Sequence, residues 1–257
     1  MSTSPVPALA DYTPRHDLLR DRVILVTGAG QGIGRVASLT FAKHGAQLIL
    51  HGRKAPKLEK VYDEIIATGA PEPAILPLDL EKSGDAEFKS LAETIYAEFG
   101  RLDGLLHNAA HFTHLRPLAN ETLGDWLRLL RVNLAAPFAL TRACLPLLKR
   151  AADASVILTS ASHGAKPAAY GGGFAVSKNA LHALLAIQAQ EWELLPNLRI
   201  NALVPGPVRS PQRARTHPGE AQSALPAPEQ LMRCYLYLMG PDSRGVSGKN
   251  ISCSSVT

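Results

Sequence analysis

The stretch Val23-Ile24-Leu25-Val26-Thr27-Gly28-Ala29-Gly30-Gln31-Gly32-Ile33-Gly34 decides the architecture of this chain. Its first five residues are apolar or β-branched without alternation, the pattern of a strand buried on both faces. The glycines that follow read as a tight turn, and the residues from Gly32 onward as the first turn of a helix. Glycine there lets the backbone approach a pyrophosphate closely. The anion then sits at the helix N-terminus, where free N–H groups and the helix dipole favour negative charge. A glycine-rich loop alone is a weak signal; the strand before it and the helix after it supply the context.

Outward from this loop, strand-length apolar runs alternate with helix-length amphipathic stretches. Strands are predicted at 23–27, 47–51, 74–78, 104–107, 155–159, 199–203 and 250–253, and helices near 32–43, 57–68, 85–99, 122–150, 173–195 and 227–239. Such alternation with short connections implies right-handed crossovers. The expected fold is α/β, a Rossmann-type doubly wound sheet of about seven parallel strands with helices on both faces. Residues 1–13 read as a flexible tail and 14–257 as a single domain. The proline-rich stretch 205–228 reads as a lid loop beside a site, since long loops in compact domains are often functional.

Composition narrows the function classes. Apolar residues make up 46% and charged residues 19%, as in an ordinary soluble domain. The net charge of +5 has one local concentration, Arg209, Arg213 and Arg215, too sparse for a nucleic-acid face. No apolar run reaches the length of a membrane span, and the charged N-terminus lacks a secretory core. Cys144, Cys234 and Cys253 are scattered, unlike a disulfide framework. These features predict a cytoplasmic protein with neither nucleic-acid nor membrane partners. His111 and His114 lack companion ligands, so no metal is expected.

The spacing T-G-x-x-x-G-x-G at Thr27 to Gly34 resembles the short-chain dehydrogenase/reductase family. Further landmarks agree: Asp79 after the third strand, Asn108-Ala109-Ala110 after the fourth, Asn133 in a helix, and Pro205-Gly206 after the sixth strand. The segments His16-Asp17-Leu18-Leu19-Arg20-Asp21-Arg22 and Tyr235 to Arg244 resemble the bacterial YciK-type branch. The resemblance implies a nicotinamide dinucleotide held by Thr27, Gly28, Gly30, Gly32, Ile33, Gly34, Asp79, Leu80, Asn108, Ala109, Lys178, Pro205 and Gly206. It also implies a small carbonyl or alcohol substrate and a homodimer or homotetramer. An acidic side chain at the end of the second strand would favour NAD(H); Gly52 stands there with Arg53 next to it. A guanidinium suits a ribose 2′-phosphate, so NADP(H) is expected over NAD(H).

The catalytic pattern of that family is broken here. The resemblance implies a Tyr as acid/base, a Ser on the reacting oxygen, a Lys four residues after the Tyr and a helical Asn. Lys178 and Asn133 match, but Phe174 occupies the Tyr position and Ala161 the Ser position. Each replacement deletes a hydroxyl and keeps most of the volume. Three readings stand open: a scaffold that still binds cofactor or a partner without turnover; an oxidoreductase with a substitute acid; or an ordinary enzyme silenced by deliberate replacement. Tyr170 is the candidate substitute acid, if Gly171-Gly172-Gly173 allows a rearranged loop, with Ser160 or Ser162 in place of the Ser. His163 lies near the same centre.

Overall fold

The computed structural model describes residue 9 and residues 11–112 and 114–253. Among these, seven strands form one parallel sheet in the order β3-β2-β1-β4-β5-β6-β7. They are β1 (Val23–Thr27), β2 (Gln47–Gly52), β3 (Ala74–Pro77), β4 (Gly104–His107), β5 (Ala154–Thr159), β6 (Leu198–Val204) and β7 (Asn250–Ser252). Every residue of β1, β4, β5 and β6 is buried, as strands covered on both faces must be. Alternation along the strands divides the core. Ile24 and Val26 meet helices α1 (Gly32–Lys43), α2 (Ala55–Ile66) and α9 (Met232–Met239) on one face. Val23 and Leu25 face α3 (Asp85–Phe99), α5 (Ala136–Arg150) and α7 (Gly172–Glu191) on the other. The strand order reverses between β1 and β4, which opens a crevice at their C-terminal ends, the place where such sheets bind ligands.

Three expectations change. The helix expected over 122–150 is divided into α4 (Leu123–Leu130), a π-helical turn Arg131–Ala135, and α5. Pro137 has no N–H to offer the carbonyl of Asn133 four residues back, and its ring crowds that carbonyl, so the chain widens there. The helix expected from 227 opens as a 3₁₀ turn, Pro228–Leu231, before α9. Part of the expected flexible tail is packed: Leu9 is buried in the core on the α1 and α9 side. Tyr12 meets Tyr237 edge-on, with ring centroids 5.2 Å apart, and donates to Asp242 at 2.8 Å. Apolar burial fixes these two residues; residues 1–8 and 10 lie outside those described.

At the opposite end of the sheet from the crevice, buried Asp153 accepts from Arg22 at 2.7 Å and pairs with Arg199. The charges of that end are thereby engaged in holding strands together. No helix among the described residues is long and apolar enough to cross a membrane.

Candidate functional site

The crevice is a cavity of about 410 Å³ that runs from the end of β2 across the glycine loop to α7 and the proline-rich segment after β6. Gly28, Gly30, Gly32, Ile33, Arg53, Asp79, Leu80, Asn108 and Ala109 line one end; Ala161, Phe174, Lys178, Pro205 and Gly206 line the other. Thr27 and Gly34 shape it from beneath. The Thr27 hydroxyl donates to the Leu106 carbonyl at 3.2 Å and accepts from the N–H groups of Asn108 and Ala109 at 3.0 and 3.1 Å. It clamps the loop after β4 against the loop after β1. A Cβ on Gly34 would stand 2.6 Å from the Asn108 amide nitrogen. Gly28 adopts φ +70°, a region L side chains rarely enter.

At the β2 end, Arg53 is exposed and no carboxylate pairs with it among the described residues. Asp79 opens the turn after β3, its Oδ1 accepting from the Glu81 N–H at 3.0 Å. His51 also lines the cavity, and neither of its ring nitrogens has a partner among the described residues. Burial lowers its pKa from 6.5 to about 4, so it stands as neutral imidazole with one donor and one acceptor unused. Its role was not legible in the sequence, where the signal was a histidine directly after the apolar run Leu48-Ile49-Leu50.

At the α7 end, the Lys178 ammonium donates to the Thr159 carbonyl at 2.7 Å, and burial lowers its pKa to about 8. Phe174 lies one helical turn earlier. Its ring centroid is 4.3 Å from that of Phe112, and Leu129 and Ala161 pack on the pair. Phe174 and Ala161, where a Tyr and a Ser were expected, thus belong to an apolar cluster. Asn133, held in the π-helical turn, is buried and saturated. Its Oδ1 accepts from the His111 N–H at 2.7 Å, and its Nδ2 donates to the His111 carbonyl and to Ser177 Oγ.

The structure does not bring Tyr170 to this centre. Its side chain is 59% exposed, it does not line the cavity, and it adopts φ +68°. The glycines after it are taken into the start of α7, where the Gly173 N–H donates to Glu121, so the loop does not fold the phenol inward. Ser160 is buried and engaged with His182 Nε2 at 2.9 Å. Ser160 nevertheless lines the cavity, as do Ser162 and His163 on the short helix α6 (Ser162–Ala165). His217, at the end of helix α8 (Pro211–Thr216), lies with its ring centroid 6.5 Å from that of His163. That residue was not singled out from sequence.

A profile described as short chain dehydrogenase matches residues 22–221. The uncharacterised oxidoreductase YciK of Escherichia coli is 39% identical over 237 residues, which cover 92% of this chain and 93% of that protein. A short-chain dehydrogenase structure from Shigella flexneri, complexed with NADP, superposes with a TM-score of 0.91 at 38% identity and covers 93% of this chain and 100% of that one. Another from Escherichia coli, complexed with NADPH, has a TM-score of 0.91 at 38% identity, covering 93% and 99%.

Proposed function

Because the chain belongs to the short-chain dehydrogenase family, we propose that it is an NADP(H)-binding oxidoreductase acting on a carbonyl or alcohol carbon, with a proton-transfer step that lacks the family's two hydroxyls. One observation carries this reading: a single cavity joins the glycine cradle and unpaired Arg53 at one end to Lys178 at the other. The residues fit a dinucleotide on their own terms. The glycine loop leaves room for a pyrophosphate, and His51 offers unpartnered nitrogens beside Asp79 and Leu80. Gly52 puts no carboxylate where a 2′-phosphate would sit, and Arg53 supplies a matching charge. The relatives complexed with NADP and NADPH support the same choice.

When bound, the nicotinamide supplies the hydride donor or acceptor. Gly28, Gly30, Gly32 and Ile33 would hold the pyrophosphate with their backbone, with Thr27 and Gly34 holding the loop. Asp79 and Leu80 would hold the adenine, with Asn108 and Ala109 lining the same end, and Pro205 and Gly206 would border the nicotinamide. The Lys178 ammonium would hold the nicotinamide ribose, and Asn133 fixes the neighbouring backbone at His111. Phe174 and Ala161 exclude water from the reacting end and move no proton. Phe138 on α5 and Val176 and Ile187 on α7 leave apolar side chains exposed, which supports a homo-oligomer.

The apolar cluster of Phe112, Leu129, Phe174 and Ala161 favours a second reading, an NADP(H)-binding or interaction protein without turnover. NADPH fluorescence on titration, followed by NADPH oxidation over a panel of ketones and aldehydes, separates the two. Turnover supports the first reading, binding without turnover the second, and absence of binding overturns the first and leaves of the second only an interaction protein without cofactor. Arg53→Leu is expected to weaken NADPH about ten- to hundredfold and leave NADH nearly unchanged, since charge-assisted hydrogen bonds are worth about 1.5–3 kcal/mol. An equal loss for both cofactors would remove Arg53 from the 2′-phosphate site.

A further inference from the structure

Helix α8 starts against the glycine loop. A Cβ on Gly32 would stand 3.7 Å from the Ser210 Cβ and 3.8 Å from the Pro211 Cδ. Arg215 follows Pro211 by four residues, so the two share one face of α8, and both line the cavity. The charge of Arg215 is felt at His111, on the loop after β4. Burial first, then the charges of Arg128, Arg53 and Arg215, hold that imidazole below 6.5, with Glu81 acting the other way. Arg215 therefore belongs with Arg53 at the dinucleotide end.

Carboxylates engage the neighbouring guanidiniums. Arg128 donates to Glu81 at 2.8 Å, and Arg213 to Glu220 at 2.5 and 2.8 Å. Asp79, the other acidic residue lining the cavity, accepts from the Glu81 N–H. Arg53 and Arg215 are exposed, line the cavity and meet no carboxylate among the described residues. His111 Nε2 is buried beside them without a hydrogen-bond partner among the described residues. Two uncompensated guanidiniums around one groove are complementary to an anion, and the loop beneath Pro211 is where a pyrophosphate would sit.

We propose that Arg215 holds a phosphate of the dinucleotide from the α8 side of the groove, opposite the backbone of the glycine loop. The inference rests on the NADP(H)-binding reading and deepens it, because Arg215 stands outside the glycine cradle and Arg53 that carry that reading. Pro211 against Gly32 points to the pyrophosphate, and the company of Arg53 to the ribose 2′-phosphate. Both are phosphates that a guanidinium fork grips with paired N–H groups.

Calorimetric titration of the parent, Arg215→Leu and Arg209→Leu with NADPH and with NADH tests the proposal. Arg209 is exposed on the same segment and does not line the cavity, so its replacement removes the same charge outside the groove. Arg215→Leu is expected to weaken NADPH about ten- to hundredfold, and Arg209→Leu to leave it nearly unchanged. A loss shared by both cofactors assigns Arg215 to the pyrophosphate, and a loss confined to NADPH assigns it to the 2′-phosphate. Unchanged affinities in Arg215→Leu would overturn the proposal alone and leave the cofactor reading standing. So would an equal loss in Arg209→Leu, which would make the effect one of net charge. Failure of the parent to bind either cofactor would overturn the cofactor reading and this assignment together.

Discussion

The Ala161→Ser/Phe174→Tyr double variant is expected to reduce carbonyl substrates with NADPH about 10²–10⁴-fold faster than the unaltered chain, the usual worth of general acid/base help. Both positions line the cavity, so the added hydroxyls have space in front of them. Tyr at 174 would stand four residues before Lys178 on one face of α7, and i and i+4 side chains meet on a helix. The ammonium, already low in pKa through burial, would stabilise the phenolate and keep the hydroxyl a usable acid. Phe174→Tyr alone should give most of the gain, because the Ser orients the reacting oxygen and does not supply the proton. Initial rates of NADPH oxidation across ketones and aldehydes measure this, with cofactor titration as the control. A double variant that binds NADPH normally and stays at the parent rate would mean that hydroxyls at 161 and 174 do not suffice for proton transfer at this end.

How much of this site could be read from sequence depends on how local each signal is. The loop Thr27 to Gly34 carries its strand, turn and helix within a few residues, so fold and cradle were both legible there. Alternation along the chain gave the remaining strands, since period and run length are also local. The π-helical turn at Asn133 was not legible as such, although Pro137 was its cause in plain sight. His51 was missed because an orphaned ring nitrogen is a property of neighbours across the sheet. The proximity of His163 and His217 likewise arises only when segments far apart in the chain come together. Tyr170 is the converse case: nearness in sequence to Phe174 suggested a contact, whereas the structure leaves the residue exposed and outside the cavity lining.

Stability is expected to fall steeply as pH drops from 6.5 toward 4, and His51 and His107 are expected to account for a large share of that fall. The two imidazoles flank Thr27 on one face of the sheet, on β2 and β4. His51 is held at a pKa of about 4 by burial. His107, hydrogen-bonded to Thr141 Oγ1 at 2.8 Å, is held at about 3, by burial first and then by the charges of His51 and Lys178. Both folded values lie below the 6.5 of an unfolded histidine. Above pH 6.5 neither state binds the proton and nothing is lost. Below it the unfolded chain takes up protons that the folded chain refuses, at about 1.4 kcal/mol per pH unit and per group. For His51 this reaches about 3 kcal/mol by pH 4. Carboxylates also weaken folded proteins in acid, so the parent's slope alone does not identify the histidines. Urea denaturation of the parent and His51→Leu between pH 7.5 and 4 does. Leucine fills the same apolar strand position without a titrating ring, and the variant should lose less stability on acidification than the parent. Parallel curves would mean that the His51 ring takes its proton in the folded chain as readily as in the unfolded one. A buried ring with unpartnered nitrogens can do that only by finding a partner in the cavity.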